Sequence, residues 1–490
     1  MRGALAASLA VGLLLASPTA RAQATYDSAP IGGRSALMGG TGIALGRDGA
    51  APFLNPATVA GIDDSGTFSM NVYSYQSSQL NGFHQPGPVN AGPLAGLALP
   101  NASLSSSRVD ALPSTFCVFL TVGGPADDDK EARVHPKGRR KGSLCVTSPE
   151  RLQLGATADA YTGAAGPYAV TQTTSFAQFW NRLYVGPSYG IYVTDRLALG
   201  ASILGAGTVA NSTWSVDSLV TGPGGGFASS YATGASAWSM DVTALLGLTW
   251  RIDDRQVLGV GIMTPSVHVI GRYQGTTGRQ TQDGGSVATT TTSKGSYRAT
   301  TPLRVGAGLG ANLTNLHVEA DLTAYVPVTD LAHAEIQTTQ TTLAAGAART
   351  TSAPQTLSVA GRPVVDAAVG GELFLSKGFS LVGGLNTDFS AIAPLAESPP
   401  IGTLAEARTH HAGLSIGFGS YGEGSEMLLG TQLTYGWGKN VAVDPYESPA
   451  QLALVDQRTF GAMLVIAGSV SLTAFRRTLQ NLETVVKLPR

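Results

Sequence analysis

Two adjoining segments in the middle of the chain alternate between apolar and polar residues with almost no error. From Leu303 to Leu313, and again from Leu316 to Val326, every second residue is apolar and the residues between are polar or glycine. Side chains on a strand point alternately to opposite faces, so each segment separates an apolar medium from a polar one. Repeated along the chain, this pattern predicts an all-β fold, a membrane-spanning antiparallel β-barrel with lipid outside and water inside.

The composition agrees with a wall of this kind. Only 13% of the residues are charged, which is low for a soluble enzyme but suits a barrel whose outer face meets lipid. The 31 basic residues nearly balance the 32 acidic ones, so we expect no nucleic-acid partner. Beyond the N-terminus no run reaches the roughly 18 apolar residues that a spanning helix needs.

The N-terminus has the features of an export signal. Arg2 precedes an apolar stretch, Leu5–Ala16, and Ala20-Arg21-Ala22 matches a small-x-small cleavage site. We therefore expect residues 1–22 to be a signal peptide, 23–66 a plug and 67–475 the barrel. Residues 476–490 are expected to form a periplasmic tail after Phe475, the aromatic residue at which the barrel assembly machinery would read the last strand.

Alternation predicts fourteen strands. The predicted strands are 67–77, 111–122, 143–163, 178–193, 197–210, 236–252, 256–275, 294–313, 316–328, 364–376, 379–390, 409–422, 425–438 and 458–475. Short turns alternate with long segments, which indicates periplasmic turns and flexible outside loops at 211–235, 276–293, 329–363 and 391–408. The charge-dense segment 123–142 falls on the periplasmic side by strand parity, unless one strand is miscounted. Four tryptophans, Trp180, Trp238, Trp250 and Trp437, lie near strand ends, as an interfacial girdle requires.

Residues 31–57 are too glycine-rich and irregular for a strand and too short for a domain, which favours a plug inside the barrel. A glycine-rich opening, an acid and then Asn55-Pro56-Ala57 before the first strand resembles the FadL/TodX family of outer-membrane transporters of hydrophobic compounds, whose hatch carries this Asn-Pro-Ala motif. The resemblance implies that long-chain fatty acids or hydrocarbons enter at the outside, contact the hatch and leave sideways, into the outer-membrane lipid, at a kink in the third strand. Gly155 and Gly163 permit such a kink.

Two groups of residues are candidates for the site. The apolar hatch residues predicted to contact a hydrophobic small-molecule ligand are Phe53, Leu54, Leu37, Met38 and Ile43, although packing of the plug would explain them equally. On the wall, the register of the two central strands follows from the turn Thr314-Asn315 that joins them. It places Gly310 opposite Glu319, Gly308 opposite Asp321 and Arg304 opposite Tyr325. We hypothesise that Arg34 or Arg47 of the hatch forms ion pairs with these acids; the alternative is solvated charges in a wet lumen.

Cys117 and Cys145 follow the export signal, and an even pair in an oxidising compartment favours a disulfide over two packed thiols. No metal site, cofactor or catalytic constellation is expected, since no cysteine–histidine cluster, nucleophile elbow or His-Glu-x-x-His is present. The chain is therefore not expected to be an enzyme. Two other classes stay open, a porin for polar solutes and a structural or adhesive surface barrel.

Overall fold

The computed structural model describes residues 25–26, 29, 31–81, 103–124, 135–223, 225–282, 286–344, 346–393, 408–444 and 451–472. The expected signal peptide and the expected tail, 476–490, lie outside the described residues. The described chain forms two one-turn helices, α1 Arg34–Leu37 and α2 Ala51–Leu54, and a 3₁₀ helix, Pro56–Gly61. Its β-segments are β1 Ser65–Asn81, β2 Ser103–Gly123, β3 Arg140–Ala165, β4 Tyr168–Tyr192, β5 Leu197–Gly222, β6 Gly225–Arg251, β7 Gln256–Met263, β8 Val267–Gln282, β9 Ser286–Ala299, β10 Arg304–Asn312, β11 Leu316–Tyr325, β12 Ala332–Ala344, β13 Ala347–Val359, β14 Val364–Ser376, β15 Phe379–Asp388, β16 Arg408–Gly422, β17 Ser425–Asp444 and β18 Gln451–Ser471.

The segments form one antiparallel sheet that closes on itself, because β1 pairs with both β2 and β18. Four spans are each interrupted once, so that β7 and β8, β9 and β10, β11 and β12, and β13 and β14 are the two halves of single spans. The eighteen described segments therefore make the fourteen predicted spans of a barrel. No helix in the described ranges is both long enough and apolar enough to cross a membrane.

The spans continue beyond the lengths that alternation predicted. Residues 211–222 extend β5, 276–282 extend β8, and β12 and β13 form a paired hairpin within 329–363. The expectation of flexible loops there was wrong because threonine-rich segments form cross-strand hydrogen bonds, such as Thr233 Oγ1 to Thr277 Oγ1 at 2.9 Å. Threonine favours strands although it carries no apolar signal.

The two faces of the wall differ as the alternation predicted. The outer face exposes large apolar side chains on spans around the barrel, for example Ile203 on β5, Leu246 on β6 and Ile416 on β16. A closed barrel with an apolar outer belt is a transmembrane barrel of the bacterial outer membrane. Trp238, Trp250 and Trp437 are partly exposed on this face, but Trp180 packs inside the lumen beside Arg182 and does not belong to the girdle.

The short connections 193–196, 252–255, 313–315, 377–378 and 423–424 all lie at one end of the barrel, the short-turn rim. The described part of the 123–142 segment lies at the same rim. Gly138 N–H donates to Tyr192 O at 2.8 Å, and Lys137 N–H donates to Asp195 Oδ1 at 3.1 Å. The parity argument therefore put this segment at the correct end, while its acidic residues, 127–131, lie outside the described residues.

Candidate functional site

The N-terminal segment lies inside the barrel. Its helices contact the wall from several sides, and nearly all of residues 31–60 are buried. Left-handed backbone angles occur at Gly32, Gly39 and Gly40, with φ of 69°, 72° and 86°, which only glycine adopts at low cost. We call residues 31–64 the hatch.

Two wall carboxylates hold the middle of the hatch through its backbone. Asp321 Oδ2 accepts the N–H groups of Gly42 at 2.9 Å and Ile43 at 3.1 Å. Glu319 Oε1 accepts those of Ala44 at 2.5 Å and Leu45 at 3.1 Å. Both acids are buried, and both point into the lumen as the alternation of β11 requires. We call this set of four charge-assisted bonds the carboxylate latch.

The register that positions the latch agrees with the prediction. Gly310 lies opposite Glu319, Gly308 opposite Asp321 and Arg304 opposite Tyr325. A Cβ on Gly308 would lie 2.2 Å from Asp321 Oδ1 and 3.0 Å from Ile43 Cβ. The space left by these glycines is therefore filled by the hatch itself.

Glycines on other spans make the same kind of close approach. A Cβ on Gly259 would lie 2.0 Å from Ile43 O, and one on Gly247 would lie 2.1 Å from Asn55 Oδ1. Lumen-facing glycines that lie against the hatch also include Gly190, Gly200, Gly261, Gly306, Gly310, Gly370, Gly384, Gly417 and Gly430. We call them the glycine belt. The abundance of glycine thus reflects the fit between wall and hatch.

Arg34 forms its ion pair with a residue that the sequence did not single out. Its Nε donates to Glu372 Oε2 at 2.6 Å, and its Nη1 donates to Leu45 O at 3.2 Å. Burial alone would lower the pKa of Arg34, but the carboxylates of Glu372, Glu319 and Asp48 outweigh it and raise the pKa. The hydrogen bonds of Glu319 and Asp321 go to backbone N–H groups rather than to the predicted arginine, and Arg47 is exposed.

Asn55 joins the motif to both hatch and wall. Its Nδ2 donates to Ile43 O at 2.6 Å and to Leu248 O at 3.0 Å, while its Oδ1 accepts the Ala57 N–H at 3.1 Å. Pro56 begins the 3₁₀ helix, where its missing N–H costs nothing. The Asn-Pro-Ala turn is thus a buried, fully bonded junction between the hatch and β6.

Asp48 is a third carboxylate of this network, and it lies on the hatch. It accepts the Ser35 N–H at 2.8 Å, the Ser35 hydroxyl at 3.0 Å and the Ala50 N–H at 3.0 Å. The sequence gives no separate signal for Asp48 or Glu372. A single acid in a glycine-rich segment, or on a regular strand, is usually solvated.

The apolar hatch residues that were predicted to contact ligand fall into different packing clusters. Leu37 and Met38 pack on the wall near Val382 and Leu428, whereas Phe53 packs near Tyr184 and Leu204. Only Ile43 and Leu54 line a cavity on the side away from the short-turn rim. That cavity has a volume of about 50 Å³, and Ala29, Ile31, Arg304, Tyr325 and Gln432 are among its other lining residues.

Arg304 forms one side of this cavity. It stacks on the Phe53 ring with its guanidinium carbon 4.3 Å from the centroid, and its Nη2 donates to Phe53 O. A second buried pair lies nearby on β3 and β4, where Arg182 Nη1 lies 3.1 Å from Glu150 Oε2 and Tyr184 donates to Glu150 Oε1 at 2.9 Å. These two arginines therefore already have partners.

The wall separates between β2 and β3. Their pairing runs only from Thr115 with Thr147 to Gly123 with Arg140, near the short-turn rim. Beyond it β2 pairs with β1 and β3 pairs with β4, but no pairing joins β2 to β3 in their described residues. We call this opening the β2–β3 gap.

Proline explains where the gap begins. Pro113 on β2 and Pro149 on β3 lie just past the last pair, and neither has an N–H to donate to a neighbouring strand. β3 also carries one extra residue there relative to β4, because Thr147 pairs with Tyr184 and Glu150 with Arg182. The break falls at Ser148-Pro149 rather than at Gly155 or Gly163, the positions that the sequence suggested.

Ala29 and the first two residues of the hatch, Ile31 and Gly32, lie against the inner side of this gap. Ala29 N–H donates to Pro149 O at 2.9 Å, and Gly32 N–H donates to Thr115 Oγ1 at 3.1 Å. Ala29 and Ile31 also line the 50 Å³ cavity. Among the described residues, Ala29, Ile31 and Gly32 thus separate the cavity from the gap.

Cys117 and Cys145 lie opposite each other on the paired part of β2 and β3, with Cα atoms 4.2 Å apart, and the structure joins them in a disulfide. Both are buried against Ala51 and Val59 of the hatch. The bond therefore fixes the wall directly below the gap.

On the short-turn side of the hatch a polar cavity of about 500 Å³ opens. Charged residues from hatch and wall line it, among them Arg47, Asp63, Arg196, Arg251 and Glu426. An apolar molecule that passed straight through the hatch would enter this charged space.

Known structures share the fold. The chain is similar to a Pseudomonas aeruginosa FadL homologue (12% identity, TM-score 0.53, covering 92% of this chain and 100% of that one). It is also similar to the CymD monoaromatic hydrocarbon channel (13% identity, TM-score 0.53, covering 90% of this chain and 97% of that one). A third similar structure is the Pseudomonas putida toluene transporter TodX (14% identity, TM-score 0.50, covering 91% of this chain and 100% of that one). No family model and no curated protein matches the sequence. At these identities the likeness shows the fold.

Proposed function

We propose that the protein carries hydrophobic small molecules, such as long-chain fatty acids or hydrocarbons, across the outer membrane, with the hatch as gate and the β2–β3 gap as lateral exit. The observation that carries this proposal is the cavity above the hatch, which Ala29, Ile31 and Gly32 separate from a gap in the wall. The shared fold with channels named for hydrocarbons and toluene supports it, and we infer membership of the FadL/TodX family.

The chemistry of the two routes favours sideways exit. A straight path would have to break the carboxylate latch and then cross the charged cavity at the short-turn rim. A sideways path needs displacement of Ala29, Ile31 and Gly32, after which an apolar molecule would reach lipid directly. Such transport requires no covalent step, cofactor or metal; it requires apolar contacts weak enough for release.

Deletion of Pro149 tests this exit. Removing it takes away the extra residue of β3 and the missing N–H together, so that pairing with β2 is able to continue beyond Thr147. We expect cells that express this variant to lose uptake of labelled decane and oleate while the barrel still folds. The matched control is deletion of Ala158, which removes the other irregularity of β3, between Ala156 and Asp159, and leaves the gap.

Full uptake by the Pro149 deletion would contradict the lateral route. Swelling of protein-containing liposomes in sugar solutions would instead identify a porin for polar solutes. Heat-modifiable migration on electrophoresis checks that each variant forms a barrel.

A further inference from the structure

The lumen wall directly above the hatch carries polar side-chain atoms that have no hydrogen-bond partner among the described residues. The Oε1 atom of Gln432 and the Oδ1 atom of Asn386 are buried without a hydrogen bond among the described residues, and both residues line the 50 Å³ cavity. Gln432 is only 5% exposed. A buried amide without a partner is costly, so such groups usually mark a bound water or a ligand.

The backbone directs these two amides toward each other. Asn386 on β15 lies opposite Gly413 on β16, and a Cβ on Gly413 would lie 2.1 Å from Asn386 Oδ1. Gln432 on β17 pairs with Ser415, one inward-facing position below Gly413. Since Gly413 leaves no side chain between them, the two amides face the same space.

Further neutral polar side chains lie up this wall, beyond the buried acid Asp388. At the level of Ser390, which is two inward-facing positions above Asn386, three residues have buried polar atoms without a partner among the described residues. These atoms are Ser390 Oγ, Thr409 Oγ1 and both polar side-chain atoms of Gln457. The apolar part of the cavity lining comes from Ile43 and Leu54 of the hatch and from the ring of Tyr325, which stacks on Tyr26 with centroids 4.2 Å apart. The lumen above the hatch thus offers neutral hydrogen-bonding groups beside an apolar surface.

The charges that line the cavity disfavour a carboxylate there. Arg304 is one cation, but Asp321 and Asp366 are two anions, and each of the three already has a partner. Asp366 Oδ1 accepts the Phe389 N–H at 2.6 Å, for example. Asp321 Oδ1 also has no hydrogen-bond partner among the described residues, and its charge would repel a carboxylate. The neutral lining atoms with unused hydrogen-bonding capacity are the amide oxygens of Gln432 and Asn386.

We propose that this cavity binds the hydroxyl end of an otherwise apolar ligand, so that the preferred substrates are neutral hydroxylated hydrocarbons such as long-chain alcohols. A hydroxyl both donates and accepts, and it suits amide groups without adding charge. The cavity has room for an end group, while the apolar body lies in the lumen beside Tyr325. The inference rests on the proposed function, which it narrows.

Equilibrium binding of labelled decane, decanol, decanoate and decylamine tests it. The protein is kept in outer-membrane vesicles, and each value is corrected for partition into vesicles without it. We expect decanol to bind more tightly than the other three. Gln432→Leu should lower the affinity for decanol about tenfold relative to decane, the effect of one lost hydrogen bond. Asn386→Leu should act in the same direction.

Gln172→Leu is the matched control, since Gln172 is a buried glutamine of β4 that does not line the cavity; its decanol-to-decane ratio should stay at the wild-type value. Two results would overturn the hydroxyl site. One is that Gln432→Leu and Asn386→Leu lose affinity for decanol and decane equally. The other is that the wild type binds decane, decanoate or decylamine more tightly than decanol. If decane and decanol both fail to bind the wild type, the proposed function itself fails, which is a different result.

Discussion

Truncation of Asp321 gives the sharpest test of the carboxylate latch. In Asp321→Ala the N–H groups of Gly42 and Ile43 lose their only acceptor while they stay inside the barrel. Each orphaned buried N–H costs about 1–3 kcal/mol, so the two together weaken this part of the hatch by about 2–6 kcal/mol. With a factor of ten per 1.4 kcal/mol, local opening becomes between about 30-fold and about 10⁴-fold more frequent.

Residue-resolved hydrogen exchange on the purified barrel measures this opening directly. Exchange at Gly42 and Ile43 should accelerate by that factor. Exchange at Ala44 and Leu45 should not, because Glu319 still accepts their N–H groups and no longer faces a second carboxylate beside it. Asp241→Ala is the matched control, since Asp241 is an equally buried wall acid whose bonds go to Ser239 and His268.

Unchanged exchange at Gly42 and Ile43 would refute the reasoning, because the hatch would then be held by its apolar packing and not by the carboxylates. Equal acceleration in Asp241→Ala would show that any buried acid of the wall matters in the same way. Single-channel conductance of the same variants reports whether a looser hatch also leaks ions.

Three further variants probe the rest of the hatch. Gly259→Ala places a Cβ about 2.0 Å from Ile43 O and should displace the hatch and raise conductance, while Gly207→Ala, which has open space around it, should not. Asn55→Asp removes the two hydrogen bonds that Asn55 donates, which should lower the local stability of the 3₁₀ helix by about 1.5 kcal/mol or more. Amide hydrogen exchange of that helix should therefore accelerate at least tenfold. Cys117→Ser should lower the unfolding free energy by about 3–4 kcal/mol, measured by denaturant titration against the same variant of Cys145.

The sequence predicted the wall better than the gate. Strand alternation depends on a local rule, so the number of spans, the short turns and the pairing of Gly308 with Asp321 could be read directly. Residues 347–354 of β13 were missed because they are exposed on both faces of the sheet, and such a strand carries no alternation.

The partners inside the gate were beyond sequence reasoning for a physical reason. Arg34 and Glu372 are 338 residues apart, and which acid meets the hatch depends on how the hatch sits in the barrel. Likewise, the two acids Glu319 and Asp321 on the lumen face predicted an arginine partner. Their actual partners are four backbone N–H groups of the irregular segment 42–45, which no helix or strand uses.

The strengths of these contacts indicate which part of the hatch a ligand moves. Release of the carboxylate latch alone requires breaking four charge-assisted bonds, about 6–12 kcal/mol in total. At the gap, the described residues Ala29 and Gly32 each donate one neutral hydrogen bond to the wall, worth about 1–3 kcal/mol together. A ligand of micromolar affinity has about 8 kcal/mol of binding free energy. That is enough to break the two bonds at the gap but not to release the whole hatch, because the packing of the hatch adds to the cost of breaking the carboxylate latch.

We therefore expect hydrogen exchange at Ala29 and Gly32 to accelerate with saturating decanol while Gly42 and Ala44 stay protected. Simultaneous loss of protection at all four would instead mean that the hatch leaves as one body.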